Sequence, residues 1–301
     1  MDYGRGLEFG YFLVPESADF AGLLEAARRA DDAGLEFVAI QDHPYHRRHF
    51  DTWTLLTALA VQTSRIRYVT DVANLPLRQP AVLAKAAASL DVITDGRFEL
   101  GLGAGGQWDA IAAMGGPRRT PGESIAALSE AIDVIRLVWS GQRGLRYDGQ
   151  HHRLDGLNPG PAPAHPIGIW LGAYGPKMLA LTGAKADGWL PSSMYLPPEK
   201  LADAHGRLDD AARQAGRAPD TVRRAYNLMG SFGERSRGFL DGPVDQWVDE
   251  LTELATGFGI DTFLLATSGD AVRDIAIFAE EVVPAVRDAV AAERAGSVPA
   301  Q

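Results

Sequence analysis

The chain has 301 residues, 46% of them hydrophobic and 23% charged, with no cysteine and a formal net charge of −10 at pH 7. That composition excludes a disordered or collagen-like chain, a disulfide framework, thiolate metal sites and a cysteine nucleophile. The acidic balance argues against nucleic acid as a partner, so an anionic ligand would need a local site of backbone amides and a few cations.

Short apolar runs alternate with segments at helical spacing. The runs that read as strands are Glu8–Val14, Phe37–Gln41, Ile66–Val72, Phe98–Leu102, Ile167–Leu171, Gly188–Pro191, Arg224–Met229 and Thr262–Ala266. Helices are expected at Asp19–Ala33, Thr52–Gln62, Ala81–Ile93, Glu123–Trp139, Lys177–Gly183, Pro198–Ala215, Val244–Thr256 and Asp270–Ala291. Continuously apolar strands between amphipathic helices argue for a parallel sheet covered on its outside. Eight such units over this length predict an α/β fold, a closed (β/α)8 TIM barrel with insertion loops, as a single domain over residues 1–301.

Local signals agree. Thr120-Pro121-Gly122-Glu123 carries the threonine, proline and glutamate of a capping box, Asp95-Gly96 reads as a turn, and Pro284 should kink or split the last helix. Three connections are long: Gly103–Gly122, Ser140–Pro166 and Gly230–Gly242. The second lies on the side where helices lead into strands, which assigns it to packing. In a barrel of this kind chemistry sits where strands end and helices are about to begin, so the residues just after each strand carry the functional reading.

After the second strand, Gln41 to His49 gathers His43, His46 and His49 beside Asp42. A metal site is one reading, but a metallohydrolase barrel would pair histidines on the first strand, where Phe9-Gly10-Tyr11-Phe12 stand, and no metal is expected. The plain alternative has Asp42 capping a turn with His46 and His49 in solvent. His43, at the strand end, is a donor and proton carrier near neutral pH. Thr70 to Pro80, after the third strand, reads as a polar connector. Gly101-Leu102-Gly103-Ala104-Gly105-Gly106 lets backbone approach a flat ligand, although its spacing is not a dinucleotide fingerprint. Gly172-Ala173-Tyr174-Gly175-Pro176-Lys177 offers free amides, a proline-started helix and a cation, which is a phosphate cradle; it also reads as a tight turn with a solvated lysine. Ser192 and Ser193 would add hydroxyl donors.

Taken together these segments resemble the bacterial-luciferase-like family of barrel oxidoreductases over about residues 8 to 284. The likeness is carried by Gln41-Asp42-His43, Leu90-Asp91-Val92-Ile93-Thr94-Asp95-Gly96-Arg97-Phe98 through Gly103, Ile135-Arg136-Leu137-Val138-Trp139, Pro166-Ile167-Gly168-Ile169-Trp170-Leu171-Gly172 and Ala186-Asp187-Gly188-Trp189. It leans to the shorter members that use coenzyme F420, with FMN as the alternative cofactor. The resemblance implies a ring lying against Ala73 and Asn74, where the family has a non-proline cis peptide, with contacts from Ala104, Gly105 and Gly106. It implies a phosphate held by Gly172, Ala173, Tyr174, Gly175, Lys177 and Ser193, and Asp42 and His43 as the catalytic acid–histidine pair beside the ring. Tyr45, Trp108, Tyr195 and Phe232 are expected in a substrate pocket, or in the core. Some F420 relatives carry a glutamate, a proposed acid, where this chain has Gly106, so the proton must come from His43, Tyr45, another residue or water.

The expected activity is hydride exchange between F420 and a small organic substrate. The alternatives are an FMN monooxygenase fed by a separate reductase and a flavin-binding barrel without turnover. No run approaches the roughly 18 apolar residues of a membrane span, and Met1–Gly10 lacks a secretion signal, so a cytoplasmic protein with no membrane partner is expected. A homodimer is expected from the resemblance.

Overall fold

In a computed structural model, residues 2–296 are described; residues 1 and 297–301, the ends of the expected domain, lie outside them. Eight parallel strands close into a ring: β1 (Glu8–Leu13), β2 (Phe37–Ile40), β3 (Arg67–Thr70), β4 (Phe98–Gly103), β5 (Ile169–Leu171), β6 (Gly188–Trp189), β7 (Arg223–Met229) and β8 (Thr262–Ala266). Closure is made by β8 on β1, with Glu8 opposite Thr262. The strands fall within about two residues of their expected positions, because an apolar run between turn residues has no other burial open to it.

The ring is covered by α1 (Phe20–Asp32), α2 (Thr52–Ala60), α3 (Pro80–Ile93), α4 (Pro121–Trp139), α5 (Pro176–Lys185), α6 (Leu201–Gln214), α7 (Val244–Thr256) and α8 (Ala271–Ile277). The capping box starts α4 as expected, with the Thr120 and Glu123 side chains each bonded to the other's backbone N–H. The turn before β4 is present, with Asp95 at φ 55° and Gly96 at 83°. The interruption near Pro284 takes the form of a π-helical turn at Phe278–Val282 before the last helical segment, Val283–Gly296. Proline has no N–H to bond four residues back, and the wider turn accommodates that loss.

Side chains that alternate inward fill the barrel. Phe37, Ala39, Val69, Trp170, Leu190, Ala225 and Leu264 form this inner cluster, with Phe12 and Val72 against it. The outward set packs under the helices in a much larger cluster. At the N-terminal end of the strands Glu8 pairs with Arg67 at 2.6 Å and with Arg223 at 2.5 Å, closing the floor with charge. The Ser140–Pro166 connection contains an antiparallel hairpin, Leu145–Asp148 with Arg153–Leu157, whose turn amides bond to the Glu130 carboxylate. The opposite, C-terminal rim of the barrel is left to the loops considered next.

Candidate active site

Val38 and Ile40 of β2 face the helix layer, and by alternation Asp42 follows them outward. Its side chain is fully buried. One oxygen accepts from the Asn74 backbone N–H at 2.9 Å and from Arg78 Nε at 2.8 Å, and the other accepts from Arg78 Nη2 at 2.8 Å. Arg78 reaches Asp51 as well, at 2.9 Å. This corrects the expectation of Asp42 as an acid beside the ring: the carboxylate is committed to a guanidinium and an amide, and it fixes the loop after β3 to the end of β2. His43 is half-buried, with Nδ1 2.7 Å from the Tyr45 hydroxyl. Burial lowers its pKa from the ordinary value, outweighing the opposite pull of Asp42, so the ring is neutral at pH 7. His46 is exposed, whereas the His49 side chain is largely enclosed, 3.9 Å from Glu16, contrary to its expected place in solvent.

The loop after β3 breaks strand geometry with a non-proline cis bond at Asp71–Val72. The expected position was Ala73–Asn74; that pair instead resumes parallel pairing, with Ala73 opposite Leu102 and Asn74 opposite Gly103, so the change of direction comes before it. Val72 is turned into the barrel by this bulge. Room for it is made by glycine: a Cβ on Gly103 would stand 2.6 Å from Val72 Cγ2, and one on Gly101 would stand 1.7 Å from the Thr70 carbonyl oxygen.

Asp71 was missed in the sequence. It shares the inward side of β3 with Val69, and an acid at an inward position just past a strand's C-terminal end is the signal that identifies it. Its Oδ2 is sealed from solvent without a hydrogen-bond partner, as are Oδ1 of Asn74 and Oδ1 of Asn227 on β7. Burial pushes the Asp71 carboxyl up to about 7, against the pull of an Asn227 hydrogen bond.

After β4 the chain opens. Gly105 sits at φ +92°, where a Cβ would meet Pro76 at 2.6 Å and Trp108 at 3.1 Å, while a Cβ at Gly106 would meet nothing within 4 Å. After β5, α5 begins at Pro176 with no side-chain cap, and Gly175 before it also faces open space. Lys177 is exposed beside that start. Ala173 is buried, its carbonyl accepting from the Trp189 indole at 2.9 Å. The Tyr174 hydroxyl accepts from the Ser192 N–H at 3.2 Å, and burial raises the phenol to about 12. Ser193 Oγ accepts from the Met229 N–H at 3.0 Å, which ties the loops after β6 and β7 together. Tyr195 is exposed and meets Tyr174 edge-on at 5.7 Å. Phe232 is half-buried and leans on Trp247 at 4.5 Å.

One rim therefore holds an uncapped helix start, open space at two glycines, a bulge over a filled barrel, a neutral imidazole and three unpartnered oxygens. These residues fit a flat, amide-rich ring with an anionic tail: the helix start suits the anion and the bulge supports a plane.

The model of the luciferase-like monooxygenase family matches residues 7–240. The chain belongs to that family. It is accordingly an oxidoreductase. Among similar proteins, an F420-dependent glucose-6-phosphate dehydrogenase of Kineococcus radiotolerans is 31% identical over 77% of this chain and 70% of its own. A 5,10-methylenetetrahydromethanopterin reductase of Archaeoglobus fulgidus is 29% identical over 94% of this chain and 78% of its own. The solved structure of an F420-dependent secondary alcohol dehydrogenase in complex with an F420-acetone adduct superimposes with a TM-score of 0.85 at 21% identity, over 94% of this chain and 100% of that one. At that identity the superposition shows the barrel fold.

Proposed function

We propose that this luciferase-like protein exchanges hydride between the deazaflavin coenzyme F420 and a small organic substrate bound in the barrel mouth. The carrying observation is the uncapped, proline-started N-terminus of α5 opening on the same rim as the Asp71–Val72 bulge and His43. The F420-dependent relatives named above support F420 over FMN, and the family's oxidoreductase character speaks against a barrel without turnover.

The coenzyme, when bound, supplies a carbon centre that gives or takes a hydride. The protein supplies placement. Amides at the start of α5 hold the anionic tail, with Lys177 adding exposed charge. Val72 forms the platform for the ring, with Asn74 held in register by Asp42 and Arg78; Ala73, expected there too, is wholly buried in the core under the helices. Ala104, Gly105 and Gly106 leave an edge with nothing larger than a methyl group, open at Gly106. With the Tyr45 hydroxyl donating to Nδ1, His43 keeps Nε2–H as a donor toward the mouth and polarises the substrate without carrying charge. Trp108 and Tyr195 border the substrate space.

Tryptophan quenching by F420 and by FMN tests the reading. Saturable quenching by F420 at lower concentration than by FMN is expected; tighter FMN binding would transfer the protein to the reduced-flavin monooxygenases.

A further inference from the structure

The mouth contains a carboxyl that the fold does not use. The buried carboxylates of Asp31 and Asp91 are, by contrast, saturated. Asp31 accepts from the backbone N–H groups of Ser64, Arg65 and Ile66, and Asp91 accepts from Ala164 and His165. Asp71, which by alternation shares the inward side of β3 with Val69, has a bare oxygen, and Asn227, which by alternation shares that of Ala225 on β7, has another. An ionised carboxylate with a buried, unpartnered oxygen is costly. The Asn227 amide N–H favours the carboxylate, but burial outweighs it and favours the acid.

The residue as a whole is half-buried, while its Oδ2 is sealed beneath the rim. No cation offsets its burial; the titratable neighbour is Tyr174, from the loop after β5, whose phenol stays protonated. Gly106 brings no proton-carrying side chain to the same space. His43 is neutral and engaged with Tyr45 on its Nδ1 side.

We propose that Asp71 is the carboxyl that exchanges a proton with the substrate in this mouth, an inference that rests on the hydride-transfer reading above. Take a carbonyl as the simplest acceptor. Hydride reaches its carbon with an electron pair from a reduced deazaflavin, the carbonyl π pair moves to oxygen, and the Asp71 proton passes to that oxygen. Asp71 is left as the carboxylate and the substrate is reduced by two electrons. In the opposite direction the carboxylate takes the hydroxyl proton as hydride leaves carbon for the oxidised deazaflavin.

Infrared difference spectroscopy of the ligand-free protein reads the group directly. The wild type should show a protonated-carboxyl stretch at pH 6 that fades as pH rises through about 7, and Asp71→Asn should abolish it. Asn227→Ala removes the amide that favours the carboxylate, so the midpoint of the band should move to higher pH. In single-turnover reduction Asp71→Asn should fall about 100-fold or more while F420 quenching stays within about threefold of wild type, and Asp71→Glu should restore part of the rate. A stretch absent from the wild type at every pH, a midpoint indifferent to Asn227→Ala, or wild-type turnover by Asp71→Asn would overturn the proposal. Failure of the wild type to bind F420 counts against the cofactor reading instead, because the titrating stretch is measured without it.

Discussion

Replacing Arg78 by methionine tests the clamp that holds the loop after β3 to the end of β2. The Asp42 side chain has no exposure, whereas Arg78 retains 19% and also has Asp51 as a partner. Its guanidinium lies 5.9 Å from the centre of the Trp53 ring as well. Removing the cation strands a buried anion with one remaining donor, the Asn74 N–H. Breaking a buried pair this way costs about 3–5 kcal/mol, and the partial exposure of Arg78 puts this case near 3. Asp42→Asn should cost less, about 1–1.5 kcal/mol, because the cation it leaves keeps solvent and Asp51. With an unfolding entropy of roughly 2.1 cal/mol/K per residue over 301 residues, the first variant should lower the thermal midpoint by about 5 °C and the second by about 2 °C. The double variant should be no worse than Arg78→Met, a coupling of at least about 1 kcal/mol. Melting followed by circular dichroism measures all three. Equal losses in the two single variants, or additive losses in the double, would falsify the claim that Asp42 is a buried anion dependent on Arg78.

Three further outcomes follow from the same geometry. Gly105→Ala should cost more than about 1 kcal/mol in denaturant unfolding, given its φ of +92° and the 2.6 Å approach to Pro76, while Gly106→Ala should stay within about 0.5 kcal/mol. Tyr45→Phe removes the partner of His43 Nδ1 and should slow turnover about tenfold, near 1.4 kcal/mol, with stability little changed; an unaltered rate would remove Tyr45 from the site. Burial, then the Arg224 guanidinium, push His205 down to about 3. Its unfolded form therefore binds a proton that the folded form refuses, and stability drains away as pH falls from about 6.5 toward 3. His205→Asn, which keeps an acceptor for Arg224 Nε, should flatten that slope by up to about 1.4 kcal/mol per pH unit. An unchanged slope would show that His205 does not carry it.

The barrel was legible because β2 is apolar throughout, β8 is apolar after Thr262, and α4 announces its own start. The rim was legible where chemistry is local: Gly175-Pro176 opens a helix whatever surrounds it. What escaped depends on partners distant in the chain. Asp42 was read from its neighbour His43, yet its role is set by Arg78, 36 positions on, which no periodicity reports. The cis bond lies at Asp71–Val72, just before Ala73 and Asn74 rejoin the sheet beside β4, a pairing with residues about 30 positions on. The same bulge turns an apparently polar connector toward the proposed site, with Asp71 near Asn227 of β7.

A crystal structure of the protein soaked with F420 tests the central claim most directly. The phosphate should lie within hydrogen-bond distance of backbone N–H groups at the start of α5, with the deazaflavin plane over Val72 and its reactive edge toward His43. A phosphate bound away from that helix start, or a ring outside the mouth, would contradict the account.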